Sequence, residues 1–81
     1  MWQLSIALSD KVYVLIKELP KSEKFNLGSQ IRRAVTSISL NIAEGSTGQS
    51  DAEQVRFIRY AHRSLMEVVA CIILMKRRGY I

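Results

Sequence analysis

A chain with one cysteine has no intrachain disulfide, and this one offers no metal site either. Cys71 stands alone in the apolar run VVACIILM, and His62 is the sole histidine. No cluster of sulfur and imidazole has ligand spacing, so no metal or cofactor is expected. A buried free thiol in a reducing cytoplasm is the expected state. Proline is nearly missing too. Pro20 is the only one in 81 residues; it cannot continue a helical ladder and it disfavours helix at Leu19. The four glycines include two in GSTGQS, the only Gly/Ser-rich stretch, which reads as a turn. It lacks the lysine and the preceding strand of a phosphate-binding P-loop.

Acidic residues are scarce: seven Asp and Glu against twelve Lys and Arg, a net charge of +5 and a pI near 9.8. This balance favours polyanionic partners. No uninterrupted apolar run approaches the ~18 residues of a membrane span. The start, MWQLSIALSDK, has no basic n-region and too short an apolar stretch for a secretory signal. No membrane association and a cytoplasmic location are expected.

What the chain does have is apolar periodicity. Apolar residues make up 48% of the sequence, a high share for a single domain (residues 1–81) this small, and part of that surface is expected to face another subunit. Leu8, Val12, Leu15 and Leu19 form one stripe of a first helix, residues 2–19, with Trp2, Ile6, Tyr13 and Ile16 beside it. The arc suits a helix touching two neighbours. The connection KSEKFN is short, which implies antiparallel helices. Phe25 and Leu27 are expected to fold back over the bundle end, and Ser22 or Asn26 to cap the next helix.

That second helix, residues 26–44, carries Leu27, Ile31, Ala34, Val35, Ile38 and Ile42 at spacings of three and four. Gly45 follows as a candidate left-handed stop. Ser50 and Glu53 form the S-x-x-E capping box of a third helix, residues 51–78. Its main face is read as Ile58, Ala61, Leu65, Val68, Val69, Ile72 and Met75, and Gly79 as its stop. From Val68 to Met75 every residue is apolar. Two partner helices do not easily cover such a segment, so association with another chain or helix is predicted. No β-period alternation persists, so the fold is an all-α antiparallel bundle.

Trp2, Leu8, Tyr13, Pro20, Glu23, Phe25 and Leu27, then the block Q-x-R-R-A-x-x-S-I-x-x-N-I-A-E-G from Gln30 to Gly45, resemble the 23S rRNA intervening-sequence proteins, also called the four-helix bundle protein family. Phe57, Ala61, Ser64, Leu65, Glu67 and the closing Gly79, Tyr80 and Ile81 fit as well. The resemblance implies a cytoplasmic bacterial bundle of the four-helix type that is not an enzyme. Some members are encoded within inserts of 23S ribosomal RNA genes. A related protein, the accessory variability determinant of diversity-generating retroelements, forms a basic pentameric barrel, associates with nucleic acid and partners a reverse transcriptase. A homo-oligomer, RNA or DNA, and a reverse transcriptase are thus the partners the resemblance implies. Three departures stand out. Ser39 replaces a frequent proline, Arg63 replaces a small residue, and the chain stops at Ile81 where the family continues. Three helices are therefore expected here, with the fourth missing.

Arg56, Arg59 and Arg63 lie in one row at i, i+3 and i+7. With Arg32 and Arg33 they are candidate phosphate contacts, because guanidinium forks match phosphate oxygens. The alternative is that they are solvated, or paired with Glu44, Glu53 and Glu67. No zinc finger, helix-turn-helix or RNP-like aromatic pattern is present, so any binding would be backbone-directed and salt-sensitive. Asn41 and Glu44 lack a histidine or nucleophile at useful spacing. They read as structural: Asn41 bonding a backbone group, Glu44 pairing with an arginine, and Gln30, Arg33 and Ser37 knitting helices together. No catalytic residues and no small-molecule substrate are expected. His62, flanked by Arg59 and Arg63, reads as a surface or interface residue. Tyr13, Tyr60, Tyr80 and Trp2 read as packing residues first, interface anchors second.

Overall fold

The computed structural model describes residues 1–47 and 50–81. Its regular structure is helical: α1 (Trp2–Lys17), a single turn α2 (Lys21–Lys24), α3 (Leu27–Ser46) and α4 (Asp51–Arg77). The three long helices match the sequence expectation within two residues at every end. The extra turn, α2, lies inside the connection read as loop. Pro20 starts it: its carbonyl accepts from the Glu23 and Lys24 amides at 2.9 and 3.2 Å. Among the described residues no helix is long and apolar enough to cross a membrane.

α3 is the central rod, packed against α1 on one side and more extensively against α4 on the other. Contacts between Ser5 and Ser39 and near Gly28, Ile16 and Leu19 run α1 antiparallel to α3. Ser37 meeting Ser64, and Gly45 meeting Phe57, set α4 antiparallel in turn. Val12, Ile16, Leu19, Leu27, Ile31, Val35, Ile38, Val68, Cys71 and Met75 form the core, with Ile31, Val35 and Met75 fully enclosed. The molecule is a rod of 44 × 18 × 17 Å.

Capping chemistry ends the last helix as its residues dictate. Ser50 accepts from the Glu53 amide at 3.2 Å, which occupies one of the four donors every helix start leaves open. At the far end Gly79 takes φ +76. The Tyr80 and Gly79 amides donate to the Met75 and Lys76 carbonyls at 2.9 and 3.1 Å, the double closure that a left-handed residue permits. Asn26 is the N-cap residue of α3 but makes no side-chain cap bond; its amide donates to Glu23 instead.

Three expectations are corrected. Gly45 is not a left-handed stop: it is buried inside α3, and a Cβ there would meet the Phe57 Cβ at 3.3 Å. Its small size lets α3 and α4 approach, and the helix ends a residue later. Phe25 does not fold over the bundle end; it is 83% exposed, and of the two residues only Leu27 is buried. The buried face of α4 is turned from the expected one. It runs through Ala61, Ser64, Val68, Cys71 and Met75, leaving Ile58, Leu65 and Val69 half in solvent. α4 carries two adjacent apolar stripes, and the seam that seats Ser64 against Ser37 is the one α3 covers. The segment GSTGQS reads partly as helix, through Ser46; Gly48 and Gln49 lie outside the described residues.

Candidate nucleic-acid interface

Two serine pairs tie the helices. Ser64 Oγ donates to Ser37 Oγ at 3.0 Å, and Ser39 Oγ donates to Ser5 Oγ at 3.0 Å. Ser5 in turn donates to the Trp2 carbonyl at 2.6 Å. Ser39, at the position where proline is frequent, thus supplies a cross-helix bond, and α3 continues through it. Asn41 Nδ2 donates to the Ser37 carbonyl and to Ser37 Oγ, at 2.8 and 3.0 Å, the structural role read for it. Gln30 and Arg33 are exposed and form no side-chain bond between helices among the described residues. Glu44 is likewise exposed, and its expected pairing with an arginine is not formed.

The outer face of α3 holds Arg32 and Arg33. Both line an open groove of about 480 Å³ together with Tyr13, Ser37, Leu40 and Asn41. The Arg32 guanidinium lies 5.8 Å from the Tyr13 ring centre. On α4 the candidate arginines alternate with aromatic rings. Arg56 sits 5.3 Å over Phe57, Phe57 meets Tyr60 edge-on at 6.1 Å, and Arg63 sits 5.9 Å over Tyr60. Such contacts contribute ~0.5–1 kcal/mol at exposed sites, enough to bias where a guanidinium rests. Arg59 is exposed, with no ring beneath it. Arg63 therefore adds a cation without blocking the helix contact, which its neighbour Ser64 makes.

The five arginines do not gather at one point. Ser37 is level with Ser64, so in the antiparallel pair Arg56 lies roughly 18 Å along the axis from Arg33 at 1.5 Å per residue. Arg33, one turn from Ser37, and Arg56, Arg59 and Arg63 form a strip along α3 and α4, while Arg32 lies toward α1 against Tyr13. Among the described residues the one ion pair is Arg78 with Glu23, 3.4 Å apart; none of the five candidates takes part in one. Of the carboxylates offered as partners in the alternative reading, Glu44 and Glu67 form no ion pair with this set among the described residues.

The opposite flank of α4 has another character. Ile58, His62 and Leu65 line an apolar groove of about 290 Å³ with Met1, Leu4, Leu8, Ile38 and Ile42. It lies where α1 and α4 diverge above α3. Residues 58, 62 and 65 are two positions on from 56, 60 and 63, which turns them by about 200° at 3.6 residues per turn. The apolar groove thus points away from the row of Arg56, Tyr60 and Arg63, with Arg59, three positions before His62, between the two. Sequence reading missed both the groove and the alternation R-F-x-x-Y-x-x-R. The second was visible as spacing, the first only once α3 had chosen its seam.

Cys71 is buried. Burial, and then the Glu67 carboxylate, push its thiol above the ordinary range, which suits an inert packing residue. Among curated proteins none matches this chain. The sequence model of the 23S rRNA-intervening sequence protein family matches residues 1–81, the whole chain, and the protein belongs to that family.

Proposed function

We propose that this protein is a non-enzymatic, self-associating cytoplasmic scaffold that holds RNA or DNA by its phosphate backbone. Arg32, Arg33, Arg56, Arg59 and Arg63 make the contacts. The observation that carries the reading is that all five are exposed and free of ion pairs among the described residues, in a chain of net charge +5. Unpaired guanidinium groups attract phosphate without first breaking a carboxylate contact. Gel shifts across a salt series test it. Binding is expected near 50 mM salt, with log affinity falling against log salt at a slope of about −3 to −4 if five single-strand phosphates are neutralised. A slope near zero, or no shift at all, sinks the proposal.

A second reading is supported by a different observation, the apolar groove with Leu4, Ile58 and Leu65 on its rim, 74%, 51% and 39% exposed. In that reading the protein is an assembly module and its arginines are merely solvated. An intact oligomer that binds neither RNA nor DNA at low salt selects it. A monomer that still binds nucleic acid rejects it.

A further inference from the structure

We infer that the α4 flank carrying Arg56, Phe57, Tyr60 and Arg63 binds nucleic acid as a single strand, by stacking a base on Tyr60. The inference rests on the backbone-binding reading above and adds what kind of strand is held. A duplex keeps its bases stacked inside and shows a protein mainly phosphates and groove edges. Solvent-exposed rings set between cations are of little use to it. An unpaired strand offers both the faces of its bases and its phosphates, and proteins that hold such strands combine cationic grooves with aromatic platforms.

The geometry meets both needs. Guanidinium, ring, ring and guanidinium follow one another at 5.3, 6.1 and 5.9 Å. They span eight residues of rigid helix, Arg56 to Arg63, roughly 10 Å of axis. Tyr60 is 41% exposed, which leaves part of it open to a base beside the Arg63 guanidinium over its ring, whereas Phe57 is half-buried and braces the row against Gly45. The cation–π contacts hold Arg56 and Arg63 near their rings, which lowers the rotamer entropy lost when they engage phosphate. Stacking on a ring reads no base edge, so this part of the binding tolerates many sequences. Glu44, beside the Gly45 that Phe57 packs on, is a carboxylate at this end of the strip and opposes the strand.

The test compares the whole protein on a labelled uridine or thymidine homopolymer and on a duplex of equal length, at one low salt concentration. Single-strand binding is expected to be the tighter. Tyr60→Leu is expected to weaken it roughly 5- to 150-fold, the range for losing one stacked base, and to change duplex binding less than about twofold. Tyr60→Phe should retain it, and Glu44→Gln should tighten it. Thermal melts of the three variants establish that the fold is kept. Equal binding of single strand and duplex, untouched by Tyr60→Leu, overturns the stacking inference and leaves the backbone reading standing. Loss of binding in Tyr60→Phe as in Tyr60→Leu also overturns it, since the ring is then not the active part. Absence of binding to either probe overturns both.

Discussion

Ile38 sits 5% exposed between α1 and α4 at the floor of the apolar groove. Truncation to alanine is expected to destabilise the fold by about 2–5 kcal/mol, read from chemical denaturation. A loss below about half a kilocalorie would place it outside the core. The two helical glycines should respond in opposite directions. A Cβ at Gly28 would make ordinary contacts at 3.5 Å, so Gly28→Ala is expected to raise stability by up to ~1 kcal/mol through backbone entropy. At Gly45 the first atom met is the Phe57 Cβ, which moves only with its backbone. Gly45→Val is therefore expected to cost ~1–3 kcal/mol by overpacking. Cys71 gives a pH prediction. Its folded-state thiol ionises at higher pH than an unfolded one, so the unfolded chain loses its proton first. Stability from this group is present below the unfolded value and declines as pH rises through it toward the folded value. Alkylation at neutral pH should be slow in native protein and fast in denaturant.

At the scale of the element, α4 depends on its ends and its seam. Ser50→Ala removes the acceptor for the Glu53 amide and is expected to cost ~1 kcal/mol of stability, measured as a lower denaturation midpoint with unchanged slope. The seam runs through Ser64, and this is where reading by period failed. Apolar counting selected Ala61, Val68 and Met75, which are buried, but with them Ile58, Leu65 and Val69, the greasier neighbours. The structure buries Ser64 and Cys71 instead, because a hydroxyl pair can be satisfied across the interface and small side chains let the helices approach. The helix starts and stops were legible because Pro20, Ser50 and Gly79 act through local backbone chemistry. Gly45 was not: a glycine near the end of a periodic run looks the same whether it breaks a helix or lets another one close.

The whole molecule is a three-rod assembly with one apolar and one cationic flank. Its apolar groove, and Val69 and Ile73 at 40% and 58% exposure beyond it, leave a surface of the kind that associates. Replacing Ile58 and Leu65 together by glutamine is expected to shift sedimentation equilibrium toward monomer while the melting transition persists. Because the row of Arg56, Tyr60 and Arg63 faces away from the groove, single-strand binding per chain should survive at high protein concentration. An unchanged mass distribution would show that this surface does not join copies of the chain.

The residue order alone determined the helical class, the three long rods, the capped ends of α4 and the family, since period, capping and turn chemistry act over a few neighbouring residues. It also marked the five arginines as cations off the α3 and α4 cores. Only the tertiary structure decided which of two apolar stripes on α4 is buried, why Gly45 must be small, and that among the described residues the five arginines form no ion pair while Arg56 and Arg63 rest on rings. Those outcomes depend on how far apart two helices settle and how each is rotated. Both are set by side chains meeting across the interface, from residues distant in the chain.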